Sequence, residues 1–207
     1  MTVTYPLSLP ASPRPNAFRL EANDITGVSS SPFSATQEVF QWTGTFWTAH
    51  VAYPVMNRIN AEPLLAVLTA LRGRWGTLLL GDPAAATAQG IATGTPLVSG
   101  ANAAGAITLA TKGWTISKTG ILKAGDYMQI GSGVTQRLYK VLNDANSDGS
   151  GNATFDIFPP LREALSDGAA ITVTSCKGTF RLASDKRPWD VARGPIYTAA
   201  FDAIEAL

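Results

Sequence analysis

One cysteine and one histidine in 207 residues remove several classes of chemistry at the outset. A lone Cys176 excludes an intramolecular disulfide framework and a four-cysteine zinc site. It ends the alternating run Ile171-Thr-Val-Thr174, where a small packing residue fits. A Ser-His-Asp set would have to use His50, and no G-x-S-x-G elbow surrounds any serine. Cysteine–histidine catalysis would need Cys176 and His50, which the division of the chain proposed below puts in different modules. HExxH, CxxC and Walker patterns are missing, and so is a phosphate-cradling G-x-G-x-x-G in the right context. Paired carboxylates for glycoside hydrolysis leave no sequence signature, and Gly125-Asp126 reads as a turn bonded to nearby backbone. The expectation is a protein without catalytic residues and without a cofactor.

Charge is scarce as well. Charged residues are 15% of the chain, against about 25% in ordinary soluble proteins. A surface so poor in charge hints that partners cover some of it. The net charge of +1 gives no case for nucleic acid or an acidic membrane surface. Between 177 and 193, Lys177, Arg181, Lys186, Arg187 and Arg193 face only Asp185 and Asp190, a solvated or interface cluster. No run reaches the ~18–20 apolar residues that a bilayer-spanning helix needs. The start, MTVTYPLSLPASPRPN, lacks a basic segment followed by an apolar one, so no secretory signal is expected and the cytoplasm is the expected place of synthesis and assembly.

What is present is mostly strand texture. Residues 1–16, with four prolines, read as an extended arm that could lie across a neighbouring subunit or stay disordered. Phe18-Arg-Leu-Glu21 could be a first strand. Val39-Phe-Gln-Trp42 and Thr45 to Tyr53, separated by Thr43-Gly44, predict an antiparallel hairpin, either filling the core or pairing between subunits. His50 falls on the face opposite Trp47 and Val51. A helix is predicted over about 61–72: Asn60 as cap, Pro63 in the first turn, Gly73 as stop, and Leu64, Val67, Leu68 and Leu71 as the apolar stripe. Gly76 to Leu80 then predicts a strand ending at Gly81-Asp-Pro83.

Beyond Pro83 the composition turns to Ala, Thr and Gly, and short strands follow: 106–109, 114–116, 126–130, 137–142, 153–157 and 170–174. That spacing suggests a small barrel or sandwich. Residues 179–182 and 196–204 return to the earlier aromatic texture. The economical division is one unit made of 1–85 plus 177–207, interrupted by an inserted module at 86–176, in a mainly β (α+β) chain with one helix. Within 86–176, six Lys or Arg are matched by six Asp or Glu, so the module has no electrostatic footprint for nucleic acid.

Two local features invite a site. Asp144-Ala-Asn-Ser-Asp-Gly149 matches the first six positions of a calcium loop, but position twelve is Phe155 where a bidentate Glu belongs, and the flanks alternate like strands. It reads as a polar hairpin connection and no metal is expected. Trp114, Tyr127 and Tyr139 could present an aromatic platform to a glycan; in the plainer reading Tyr127 and Tyr139 fill the barrel while Trp114 covers one end.

A set of short motifs occurs in order: Leu71-Arg-Gly-Arg74, Gly81-Asp-Pro83, Gly94-Thr-Pro96, Leu122 to Ile130 (LKAGDYMQI), Phe158-Pro-Pro-Leu-Arg162 and Gly178-Thr-Phe-Arg-Leu182. Together they resemble tail-tip proteins of long-tailed, siphovirus-type bacteriophages, most closely the distal tail protein family. The resemblance implies a β-sandwich-like ring-forming domain carrying a helix, with a peripheral barrel similar to the oligonucleotide/oligosaccharide-binding (OB) fold. It further implies a hexameric ring in the virion, joining the tail tube protein to the receptor-binding hub, with a lumen through which DNA passes without specific binding and with no membrane insertion. A glycan-binding adhesin module and a cell-wall-acting enzyme are the alternatives.

Overall fold

The structure, a computed structural model, describes residues 3–207. The first strands are β1 (Leu7–Ser8), β2 (Ala17–Asn23), β3 (Thr26–Ser30), β4 (Gln37–Gln41), β5 (Phe46–Ala52) and β6 (Met56–Asn57). Helix α1 (Arg58–Ala70) and β7 (Leu78–Leu80) follow. A second group comprises β8 (Gly94–Val98), β9 (Thr108–Trp114), β10 (Tyr127–Ile130), β11 (Arg137–Val141), β12 (Ala153–Phe158) and β13 (Ile171–Thr172). The chain then returns through β14 (Gly178–Leu182), β15 (Trp189–Ala192) and β16 (Ile196–Glu205). The molecule is mostly β, 41% strand and 8% helical, with one α-helix among the described residues.

The flanking segments build an eight-stranded sheet in the order β1-β7-β14-β16-β5-β2, with β15 and β6 paired to β16. Its core is lined by Trp47, Val51, Leu78, Phe180 and Phe201, and α1 closes it with Ala61, Leu64, Leu65 and Leu68, joined by Leu71 just past the helix. The second group forms a six-stranded sheet in the order β13-β10-β11-β12-β9-β8. It is nearly closed into a barrel: Val98 N–H donates to Ala169 and Gly168 N–H donates to Val98, bridging the two edge strands. Its interior is a separate cluster including Leu109, Met128, Tyr139, Phe155 and Ile157.

Several local expectations need correction. Val39-Phe40 does not form a hairpin with β5. Both edges of β5 are taken, by β2 and by β16, so β4 pairs with β3 in a ribbon of its own. The aromatic run is thereby split: Trp47, Val51 and Tyr53 are core, while Val39, Phe40 and Trp42 are exposed. The arm folds back on its own chain, with Tyr5 Oη donating to Ala70 O at 2.6 Å and Leu7 N–H to Thr77 O. Met1 and Thr2, part of the expected arm, lie outside the described residues.

The helix cap is Asn57, whose side chain accepts from Asn60 N–H at 3.0 Å; Asn60 is itself in the first turn. Pro63 therefore lies a turn deeper than expected and denies a partner to the carbonyl of Ile59. Ile59 is fully on the solvent side, where water can serve that carbonyl. The stop begins one residue early, since Arg72 (φ 53) as well as Gly73 (φ 72) is left-handed. Gly73 cannot be replaced cheaply, because its φ of 72° is left-handed and a Cβ would also sit 3.2 Å from Asp185 Cα.

Five strands are not anticipated by the sequence reading: the two-residue β1 and β6, β3 of the ribbon, and β8 and β15. Strand β8 contains Pro96 and shifts register between Gly94 and Leu97, the behaviour expected of proline on an edge strand. Strand β15 carries Trp189 and Val191 within the charged stretch. Trp114 ends β9 and does not begin a separate strand.

Phe155 is fully buried at the centre of the barrel. Phe155→Ala should cost about 3–5 kcal/mol, read as a lowered urea midpoint at unchanged m-value; a change near zero would mean that the barrel is not packed around this ring.

Candidate functional site

The three candidate glycan residues, Trp114, Tyr127 and Tyr139, are buried. Trp114 packs edgewise on Phe155 with centroids 5.7 Å apart, and its Nε1 donates to Thr111 Oγ1 at 2.7 Å. That hydroxyl in turn donates to Ala153 O. Tyr139 lies in the barrel interior, and its hydroxyl accepts from Arg162 N–H at 3.3 Å. Tyr127 sits where the barrel meets the sheet, 6.5 Å from the Trp47 ring and beneath Lys140 Nζ at 5.2 Å. Burial pushes its phenol up to about 12, with the Asp82 charge adding to the effect. The structure does not assemble these rings into one exposed platform.

The DANSDG segment uses its oxygens on its own chain. Asp144 Oδ1 accepts from Ala124 N–H, Asn146 Oδ1 from Gly120 N–H, and Asp148 Oδ1 from Ser150 and Asn152 N–H. Those donors hold the Asp148 carboxyl below the usual carboxylate range. Among the described residues no group of three or more His, Cys, Asp or Glu could hold a metal. Asp126 acts likewise at larger range. Buried, it accepts from the N–H groups of Gln89, Gly90 and Lys123 at 2.7–3.1 Å, tying the segment leading into the barrel to the turn before β10.

A denser constellation joins barrel to sheet, and sequence spacing could not have found it. Arg162, just beyond β12, lays a guanidinium fork on Glu205 of β16: Nε to Oε1 at 3.1 Å and Nη2 to Oε2 at 2.5 Å. The side chains are only 11% and 3% exposed. Glu205 Oε2 also accepts from Trp47 N–H at 3.1 Å. The Trp47 indole donates to Leu138 O in β11 at 3.0 Å and meets Phe158 edge-on at 4.9 Å. Arg137 Nη1 donates to Ala206 O. Where the chain enters and leaves the barrel, Gly81 passes so close to Cys176 that a Cβ would lie 2.0 Å from its carbonyl oxygen. Burial pushes the Cys176 thiol up to about 12.

Three surfaces remain open. The β3–β4 ribbon has apolar side chains on both faces: Val28 and Val39 on one, Phe40 and Trp42 on the other, with Phe33 98% exposed at the turn. At its base, Gln41, Trp42 and Thr43 face Ile107 and Pro160 across a cleft of about 370 Å³. The third is the C-terminal end of α1, where Arg72, Arg74, Arg181, Lys186 and Arg187 gather with exposed Trp75 and Trp189. His50 is on the surface, paired with Asp202 at 2.6 Å. No protein-family model and no curated protein sequence matches the chain.

Arg162→Ala should cost about 3–5 kcal/mol, since it strands a buried carboxylate. Replacing both partners, as in R162M/E205L, should recover most of that loss in chemical denaturation; equal losses in the single and double variants would remove the ion pair from the junction's energetics. Cys176 should resist a disulfide-exchange reagent in the native protein and react once denaturant unfolds it. Rapid native modification would contradict its burial.

Proposed function

We propose that this chain is a structural part of a long-tailed phage tail tip, of the distal tail protein type, and works without catalysis. It would assemble into a hexameric ring between tail tube and receptor-binding hub. The observation that carries the reading is the β3–β4 ribbon. An isolated two-stranded ribbon is at best marginally stable in water, and every residue of β4 is exposed. A ribbon with valine and aromatic side chains on both faces gains stability only when something covers it.

A second support comes from where the motif residues fall. Gly81 and Gly178 sit where the chain enters and leaves the barrel, and Phe158 and Arg162 reach from the barrel to Trp47 and Glu205 of the sheet. These are positions where a two-part tail protein would be constrained, because they fix how its peripheral barrel is carried. The low overall charge suits a protein covered on several sides.

The reading is tested by the native mass of the purified chain and by its position in imaged tails. Six copies per particle and density at the distal end of the tube are expected. A chain that stays monomeric at high concentration and is missing from intact tails would overturn it. Replacing the exposed pair in V28S/V39S should shift the mass toward the monomer while circular dichroism still shows the native fold, as neither side chain belongs to either core.

A further inference from the structure

We infer that the β3–β4 ribbon of one copy docks head to tail on the basic, aromatic end of α1 in a second copy. The inference rests on the ring reading and adds to it which two surfaces meet.

The receiving face carries five cations: Arg72, Arg74, Arg181, Lys186 and Arg187. None of them takes part in an ion pair among the described residues. Three of the guanidinium groups are held in place by carbonyls, which order a charge without neutralising it. Arg74 Nε and Nη2 donate to Ala183 O at 3.0 and 2.6 Å, Arg181 Nη1 to Arg74 O at 3.3 Å, and Arg187 Nη1 to Thr69 O at 3.1 Å. The nearby carboxylates are few. Asp185 accepts from Arg74 N–H at 2.9 Å, Asp190 is exposed on β15, and Glu62 is paired with Arg58. Next to the cations, α1 and β15 enclose an open groove of about 550 Å³ lined by Leu65, Ala66, Trp189, Val191 and Tyr197.

The ribbon has the opposite character. From Leu20 to Asn57 the sequence contains no Lys or Arg. The ribbon's charges are the carboxylates Asp24 and Glu38, and both are exposed. Its apolar side chains, Val28, Val39 and Phe33, match the groove in kind, and its carboxylates match the unpaired cations. Phosphate backbone would satisfy the arginines but leave the Trp189–Val191–Tyr197 groove uncovered. Arg, Trp and Tyr beside an apolar groove are the composition of a protein-docking surface, and this chain itself supplies a surface of complementary charge. Because the two patches differ, the contact is heterologous and closes into a ring when its rotation divides a full turn.

The test is a charge exchange read by sedimentation velocity. D24K/E38K alone and R72E/K186E alone should each weaken association on the order of tenfold or more, because like charges then face each other. A chain carrying all four changes should regain association. None of the four side chains belongs to either core, so circular dichroism should show each variant folded; F33S, at the exposed turn, provides a charge-neutral check and should also weaken association. An oligomer indifferent to the reversals would overturn this inference and leave the ring reading standing. A wild-type chain that never associates would overturn this inference, and one that is also missing from intact tails would overturn both. Association of the wild type should also weaken as salt is raised; a salt-independent oligomer would argue against the charge pairing.

Discussion

The buried pair between Arg162 and Glu205 is the constraint on which the relation of the two parts depends. Removing two charges from water is costly, and the cost is offset only when geometry is good and the remaining lone pairs are used. Here both conditions are met: the fork is bidentate, and Trp47 N–H takes up part of the carboxylate's remaining capacity. A pair of this kind contributes little net stability compared with a well-packed apolar substitute. What it supplies is intolerance of displacement. If the barrel shifts against the sheet, the fork is broken and a charge is left buried without its bidentate partner.

Other contacts then fall into place around that point. The Trp47 indole can reach Leu138 O only with β11 held against β5, and the edge contact with Phe158 sets the approach of the segment that carries Arg162. Gly81 and Gly178 permit the two crossings to run close together, with a Cβ at either position meeting Cys176 O or Leu138. The barrel is thus attached by two crossings and a charged lock, with its own core complete inside it.

Much of this was legible locally and little of it globally. Alternation located β2, β12 and β16, whose residues switch between a drier and a wetter face, whereas β10, β11 and β14, buried along most of their length, were legible as short apolar runs between turn residues. Pairing is a different matter. The run Val39–Trp42 looked like the partner of β5, and nothing in its residues reveals that β2 and β16 already occupy both edges. Strand β8 was hidden by Pro96 and by Ala/Gly/Thr texture, and β15 by its charges. Trp114, Tyr127 and Tyr139 were visible as aromatics, but which side of a strand faces inward is settled only by barrel closure. The Arg162–Glu205 pair spans 43 residues, and neither residue has a neighbour that marks it.

The same division bears on what the open surfaces are for. Each core is closed by its own elements: the sheet by α1 and the arm, the barrel by bridging of its edge strands. Such a chain has satisfied its own folding requirements without the β3–β4 ribbon, which adds backbone pairing but no burial to either core. A segment that costs conformational entropy to order and leaves valines and aromatics in water is one that the proposed contact with a second copy would stabilise. The cations around α1 tell a similar story, since backbone carbonyls fix their positions and leave their charge unspent. Two surfaces of opposite charge and shared apolar character, neither required for the fold, are what a protein built to meet copies of itself would carry.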